Sequence, residues 1–287
     1  MASSLRDLAR RHGIRPSRSL GQHFLIDPNL ARRIASLAEL RPGDRVVEIG
    51  AGLGSLTVAL AEAGGDVLAI EFDRELTPAL REVAGSLDGV EILETDAMAA
   101  DWRSLLRGGE WTLVANLPYN ISTPLVLRLL EDVPQIERYL VMVQREAGER
   151  LASEAGEDAY GAVSVKVAYW AEAEVLRRVP PTVFWPKPKV ESVLVRLTPR
   201  PAPVAVNRRA LFRVVEAGFA ERRKTMRNAL RRLGLSPPEA AEALEASGLS
   251  PQVRAEEIDL AGFAQLASWF GVRRVLGLEE GEPSSDG

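Results

Sequence analysis

The sequence predicts an α/β fold, in which a mainly parallel sheet carries helices on both faces and is followed by a small all-α C-terminal domain. Between about residues 45 and 143, short β-branched runs alternate with helical patterns, which is typical of a buried parallel sheet. After Asn207 only helical patterns follow. The length of 287 residues suits one large and one small domain.

The N-terminal region is basic and contains no continuous apolar segment, so we predict no secretory signal. We expect a helical stretch there, then an ordered loop at residues 19–25 and a helix over residues 29–40. No apolar run reaches the ~20 residues that span a bilayer, and we expect a protein without a membrane partner.

The alternating region accounts for most of the predicted sheet. Ligands of such sheets bind at the carboxyl ends of the strands, so polar residues at those ends are candidate site residues. The predicted strands are residues 45–49, 66–71, 90–94, 112–115 and 138–143, and the predicted helices are residues 55–62, 75–84 and 123–130.

The second half of the chain follows a different pattern. We predict strands at residues 162–169 and 191–197 in an antiparallel part of the sheet, separated by a proline-rich loop at 180–189, which cannot be a helix. A linker at 199–203 precedes helices over residues 208–220, 222–233, 238–246 and 260–270. The predicted division is an N-terminal segment and loop (1–28), an α/β domain (29–200), a helical domain (207–275) and a disordered tail (276–287).

The charge of the chain is unevenly distributed. The formal net charge is −4, yet residues 207–234 contain nine basic and two acidic residues, whereas residues 236–287 contain three basic and ten acidic residues. Contact with a phosphate backbone requires a concentrated basic segment of this kind. The alternative interpretation is a solvated helix face.

Cysteine is absent and only two histidines are present. This composition excludes disulfides and thiol catalysis, and we expect no metal site. A reducing cytoplasm fits it.

A glycine-rich turn follows the first strand of the alternating region. Gly50, Gly52 and Gly54 let the backbone turn sharply and let a ligand approach it closely. Their spacing differs from the G-x-G-x-x-G of dinucleotide-binding proteins, and a cofactor without phosphates, such as S-adenosylmethionine, does not require that third-glycine spacing. Glu48, just before the turn, is interpreted as a structural hydrogen-bond acceptor.

Two carboxylates follow at the ends of the next strands. Glu71, 21 residues after Gly50, is placed to accept hydrogen bonds from both hydroxyls of a ribose. The third strand leads to Asp96, which is a candidate acceptor for an adenine amino group. An ordinary Asx turn is the alternative interpretation of Asp96.

The segment Asn116-Leu117-Pro118-Tyr119 ends the fourth predicted strand. The exocyclic nitrogen of adenine is a poor nucleophile, and two acceptors that hold its N–H groups favour attack. The Asn116 side-chain oxygen and the Leu117 carbonyl, held by Pro118, are such acceptors. The Tyr119 ring is suited to stack on a base, which contributes ~1–3 kcal/mol.

These motifs resemble those of the ribosomal RNA adenine N6,N6-dimethyltransferases over nearly the whole chain. In one segment, His23 stands where the family commonly has asparagine, and both side chains can hydrogen-bond the methionine end of the cofactor. The matching segments, in order, are residues 20–25, 48–54, 116–119, 183–192 and 219–228.

The resemblance implies a Rossmann-like class I S-adenosylmethionine-dependent methyltransferase sheet. It also implies that Phe184 closes the second face of a flipped adenine opposite Tyr119. The implied cofactor-lining residues are His23, Leu25, Gly50, Gly52, Glu71, Asp96 and Asn116, and the implied RNA-contacting residues are Arg222, Arg223, Lys224 and Arg227.

The implied substrate is a pair of adjacent adenosines near the 3′ end of 16S rRNA, in the small ribosomal subunit or its precursor, methylated by a cytoplasmic monomer. A role in subunit assembly is also implied. Two alternatives remain: a 23S rRNA adenine methyltransferase of the antibiotic-resistance type, and a non-catalytic assembly factor. A DNA methyltransferase is disfavoured, because no sequence-reading DNA module is recognisable.

Overall fold

The computed structural model describes residues 2–17, 19–221 and 224–275. The expected tail 276–287 and the expected RNA-contacting residues Arg222 and Arg223 lie outside the described residues. The chain divides into two compact units. Unit 1 comprises Met1–Ala152 and Ala171–Pro199, and unit 2 comprises Ser153–Trp170 and Arg200–Gly287.

The strands and helices are numbered in chain order. The strands are β1 Phe24–Leu25, β2 Arg45–Ile49, β3 Asp66–Glu71, β4 Val90–Glu94, β5 Trp111–Asn116, β6 Ile136–Gln144, β7 Ala171–Val179, β8 Phe184–Trp185 and β9 Ser192–Pro199. The helices are α1 Ala2–Arg11, α2 Pro28–Leu37, α3 Ser55–Glu62, α4 Thr77–Ala84, α5 Trp102–Leu105, α6 Ser122–Asp132, α7 Arg145–Ala152, α8 Ala162–Trp170, α9 Arg208–Phe219, α10 Met226–Arg232, α11 Pro237–Ala246 and α12 Leu260–Val275.

Seven strands of unit 1 form one sheet in the order β4-β3-β2-β5-β6-β9-β7. The five strands from β4 to β6 run parallel to their neighbours, while β9 pairs antiparallel with both β6 and β7. The strand order changes direction at β2, since β3 lies on one side of it and β5 on the other. Such a switch point opens a crevice at the carboxyl ends of the strands, where α/β sheets bind ligands.

Both faces of the central sheet are covered. Four consecutive residues of β2, from Val46 to Ile49, are buried, and successive strand side chains point to opposite faces. Ile34 of α2 and Leu60 of α3 belong to the same core cluster as Val46. The predicted α/β fold, with its parallel part and its antiparallel extension, is therefore confirmed.

A second, two-stranded sheet joins segments that are distant in sequence. β1 pairs antiparallel with β8, with Phe24 opposite Trp185 and Leu25 opposite Phe184. The Ile26 N–H extends this pairing by donating to the Val183 carbonyl at 2.9 Å. The predicted loop at 19–25 is thus held against the proline-rich loop.

Unit 2 is helical in its described part and has its own core. Its central apolar residues come from α9, α10, α11 and α12: Leu211, Val215, Leu230, Leu244 and Phe263. The buried Tyr160 hydroxyl donates to the Ile258 carbonyl at 2.7 Å. Within the described residues of the whole chain, no helix combines the length and apolar character needed to cross a bilayer.

The prediction of a strand at residues 162–169 is wrong. These residues form α8, in which Val165 and Tyr169 are buried one helical turn apart, in the core of unit 2. Burial of that face overrides the strand preference of a segment rich in valine. The segment 153–170 accordingly groups with unit 2, whereas the predicted division placed it in the domain that contains the sheet. The edge strand β7, which follows directly, was missed.

Candidate active site

The glycine-rich turn lies at the switch point, between β2 and α3. Gly50 and Gly52 have φ values of 75° and 56°, in the left-handed region that favours glycine. A Cβ on Gly50 would lie 3.2 Å from the Pro118 Cδ atom, and one on Gly52 would lie 3.0 Å from the Phe24 Cδ1 atom. The turn therefore packs directly against both the Asn-Leu-Pro-Tyr segment and β1.

Glu71, at the end of β3, holds the turn in place. Its side chain is buried, and its Oε2 accepts from the Gly52 N–H at 2.7 Å while its Oε1 accepts from the Asp73 N–H at 2.8 Å. Burial raises the pKa of Glu71, and these backbone hydrogen bonds oppose that shift. Each carboxylate oxygen has a further lone pair for a ligand donor.

Asp96 forms the Asx turn that was the alternative interpretation of this residue. Its Oδ1 accepts from the Met98 N–H at 2.8 Å. The side chain also lines the cavity described below. The turn and a ligand contact are compatible, because a carboxylate has two oxygens.

Asn116 has a defined amide orientation at the end of β5. Its Nδ2 donates to the His23 backbone carbonyl at 3.0 Å, and since a carbonyl can only accept, the amide nitrogen is identified. The side-chain oxygen Oδ1 is then the acceptor that remains for a ligand. The next residue, Leu117, is buried, and its N–H donates to the Met142 carbonyl at 3.0 Å.

Tyr119 and His23 lie side by side at the mouth of this site. Their ring centroids are 5.1 Å apart. The Tyr119 hydroxyl is hydrogen-bonded to the Ser192 Oγ at 2.7 Å, and burial raises the pKa of the Tyr119 phenol, so the ring is neutral. The His23 Nδ1 is 2.7 Å from the Pro186 carbonyl, which requires that Nδ1 carry a hydrogen.

The structure does not bring Phe184 to this site, contrary to the role implied by the family resemblance. Its ring is only 1% exposed and belongs to the core cluster with Leu25 and Ile34. The pairing of β8 with β1 directs it inward. In this conformation Phe184 cannot stack on a base opposite Tyr119.

A cavity of about 230 Å³ brings the predicted residues together. Leu25, Gly50, Gly52 and Leu117 contribute to its wall. Four carboxyl side chains line it: Glu48, Glu71, Asp73 and Asp96. Lysine and arginine are absent from its described lining. In the described part of the chain, no group of three or more His, Asp or Glu side chains is arranged to hold a metal ion. The acidic lining favours a ligand with positive charge.

Phe72, Asp73 and Met98 are among the lining residues that the sequence analysis missed. The Phe72 side chain is 57% exposed although it lines the cavity. An exposed aromatic ring next to a strand-end carboxylate is the signal that could have identified it, because rings of this kind stack on flat ligands.

Of the predicted RNA-contacting residues, the structure describes Lys224, which precedes α10, and Arg227, which lies in α10. Lys224 is exposed, and the Arg227 guanidinium donates to the Pro237 carbonyl at 3.3 Å. Lys224 therefore presents a positive charge of this segment to solvent.

The sheet, the glycine-rich turn beside a strand-end carboxylate and the Asn-Leu-Pro-Tyr segment together define a class I methyltransferase. The model of the family "Ribosomal RNA adenine dimethylase" matches residues 14–271. The chain belongs to this family.

Individual proteins agree with this assignment. The Ribosomal RNA small subunit methyltransferase A of Magnetococcus marinus is 44% identical over 265 residues, which cover 91% of this chain and 94% of that protein. A dimethyladenosine transferase from Plasmodium falciparum has the same fold, with a TM-score of 0.73 at 23% identity over 86% of this chain and 97% of that one. The 23S rRNA methyltransferase ErmE gives a TM-score of 0.66 at 25% identity, covering 85% of this chain and 98% of its own.

The packing of the turn leads to a prediction about stability. Gly52→Ala is expected to lower the free energy of unfolding by about 2–4 kcal/mol, because it combines ~1–2 kcal/mol of left-handed strain with overpacking against Phe24. Gly43→Ala is the matched control, since Gly43 has a φ of 85° but nothing within 4 Å of its Cβ position. Urea denaturation of both variants gives the comparison. Equal losses would show that the contact with Phe24 contributes nothing.

Proposed function

We propose that this protein transfers methyl groups from S-adenosylmethionine to N6 of adenosines in small-subunit ribosomal RNA, and that the product is N6,N6-dimethyladenosine. The observation that carries the proposal is the Asn116 amide, whose oxygen is left as an acceptor at the end of β5 by the hydrogen bond from Nδ2 to His23. The similarity to a small subunit methyltransferase A over 91% of the chain supports the choice of RNA.

The cavity suits S-adenosylmethionine in charge and in hydrogen bonding. Its acidic lining favours the cationic cofactor over a dinucleotide, which would bring phosphates into it. Glu71 accepts from the ribose hydroxyls, the second oxygen of Asp96 accepts from the adenine amino group, and Phe72 offers an exposed ring to the adenine face. His23 and Leu25 close the methionine side.

The chain itself contributes positioning and hydrogen bonding to the reaction. When bound, S-adenosylmethionine supplies a methyl group activated by a sulfonium. The Asn116 Oδ1 and the Leu117 carbonyl accept the two N6 hydrogens of adenine, while Pro118 fixes that carbonyl and Tyr119 stacks on the base. These acceptors draw the nitrogen lone pair out of the ring, so the amine can attack. No general base is required, because the proton can leave to water after transfer.

The substrate is a structured RNA, and the target adenosine leaves its stack to enter the site. The basic residues Arg222, Arg223, Lys224 and Arg227 contact phosphates and so position the RNA without reading its sequence. We propose that the RNA is 16S rRNA within the small subunit or its precursor, that the protein acts in the cytoplasm as a monomer, and that it also takes part in subunit assembly.

The second candidate substrate is 23S rRNA, because ErmE, a 23S rRNA methyltransferase, covers 85% of the chain in the structural comparison. Labelled S-adenosylmethionine incubated with unmethylated small subunits, large subunits and duplex DNA separates the candidates. We expect labelled dimethyladenosine on the small subunit alone. Label on the large subunit would favour the second candidate, and cofactor binding without transfer would indicate an assembly factor.

Asn116→Ala removes one of the two acceptors for the amine. We expect the single-turnover rate of methyl transfer to fall by about 10²–10³-fold, as for loss of one preorganised hydrogen bond in other enzymes, with cofactor affinity changed less than about tenfold. Asn29→Ala, in the exposed first turn of α2, is the control and should react at the parent rate. An unchanged rate for the Asn116 variant would exclude the amine clamp.

The basic segment should determine the salt dependence of RNA binding. Replacement of Arg222, Arg223 and Arg227 by Ala should reduce the slope of log K against log salt by about 2–3, because each phosphate contact contributes ~0.7–0.9.

The matched control replaces three exposed arginines of unit 1: Arg32, Arg33 and Arg81. It changes the net charge equally but should leave the slope near that of the parent. Equal slopes for the parent and the first triple variant would support the alternative interpretation, that the segment is a solvated helix face.

A further inference from the structure

Glu48 is a buried carboxyl group to which the proposed reaction assigns no role. It lies in β2 just before the glycine-rich turn, is 1% exposed, and lines the same cavity as Glu71. Its Oε2 accepts from the Thr57 Oγ1 at 2.6 Å. A group that touches the cofactor cavity and is sealed from bulk water responds strongly to charge placed in that cavity.

Within the described part of the chain, the strands and the helix around Glu48 place no lysine or arginine beside it. From β3, on one side, Glu71 presents a second carboxyl group, and α3 contributes the Thr57 hydroxyl. On the other side, β5 (Trp111–Asn116) contains no titratable side chain. The remaining titratable groups in the described lining are Asp73, Asp96, His23 and Tyr119. The described lining thus places no lysine or arginine beside an ionised Glu48.

The protonation of Glu48 follows from this environment. Burial raises the pKa of Glu48 to about 8, the Thr57 hydrogen bond opposes the shift, and Glu71 adds to it. At neutral pH the carboxyl group therefore holds a proton when the cavity contains no cation. A cation that enters the cavity favours the ionised form.

We infer that Glu48 makes the cavity selective for charge: it releases its proton to solvent when cationic S-adenosylmethionine binds, and recovers a proton from solvent once the sulfonium charge is gone. The inference rests on the proposed use of that cofactor. S-adenosylmethionine carries one more positive charge than S-adenosylhomocysteine, the neutral thioether left after transfer. Glu48 thereby favours the cofactor over the product, which helps an enzyme that must exchange one for the other between successive methylations.

Proton release can be counted by calorimetric titration. Wild-type protein is titrated near pH 7 with each ligand in two buffers of different ionisation enthalpy. We expect S-adenosylmethionine to release nearly one proton more than S-adenosylhomocysteine, since a group with a pKa one unit above the pH is about 90% protonated. In Glu48→Gln this difference should fall by nearly one proton, and the remainder reports the other groups that titrate on binding, Glu71 among them.

Glu91→Gln is the matched control, because it makes the same change at an exposed carboxyl group on β4. It should release protons as the wild type does. Equal release by the wild type and Glu48→Gln, or equal release with both ligands in the wild type, would overturn the inference. Absence of any binding heat with S-adenosylmethionine would contradict the proposed function instead.

Two further measurements cover the case in which Glu48→Gln folds poorly. In the wild type, the ratio of S-adenosylmethionine affinity to S-adenosylhomocysteine affinity should increase close to tenfold for each unit by which the pH is raised toward about 8. A ratio that does not change with pH would overturn the inference. Glu48 also makes the wild type lose stability as the pH rises from about 4.5 to about 8, because only the unfolded state ionises there. Glu91→Gln should show the same loss, and any folded Glu48→Gln should not.

Discussion

The hydrogen bond between the buried Glu71 carboxyl group and the Gly52 N–H organises the site. A carboxyl group buried at the end of β3 must have its polar atoms satisfied, and an N–H that does so belongs to Gly52, which adopts a positive φ. In that conformation Gly52 packs against Phe24 so closely that an added Cβ would lie 3.0 Å from the Phe24 Cδ1 atom. One local requirement therefore fixes β3, the turn and β1 relative to each other.

From β1 the same arrangement extends to the side of the site that would receive the base. His23, directly before β1, receives the Asn116 amide on its carbonyl and binds the Pro186 carbonyl through its ring. Tyr119 is anchored by Ser192, 73 positions further along the chain. The same hydrogen bonds hold the residues proposed to bind the cofactor and those proposed to bind the base. A change in the loop at 19–25 would therefore alter the positions of both sets of residues.

The sequence was sufficient for features that depend on local chemistry. The strands around Val47 and Val114, the turn at Gly50 and the end of β5 at Asn116 lie where their patterns predicted. It failed where tertiary burial decides: the valine-rich α8 is a helix because one of its faces packs into unit 2. Phe184 was assigned from a motif, but the pairing register of β8 turns its ring into the core. Phe72 carries no motif, and only its exposure beside the cavity identifies it.

The two ligands proposed for this protein have opposite charge, and the chain separates the residues that suit each. The described cavity lining holds four carboxyl groups without lysine or arginine, a composition that would repel the phosphates of RNA and stabilise a sulfonium. The basic residues are concentrated between Arg208 and Arg232 instead. The net charge of −4 averages these two regions, which is why it is a poor guide to partners. A lining that disfavours phosphate admits the uncharged base more readily, so under the proposed function the acidity that suits the cofactor would also help to determine which part of the nucleotide reaches Asn116.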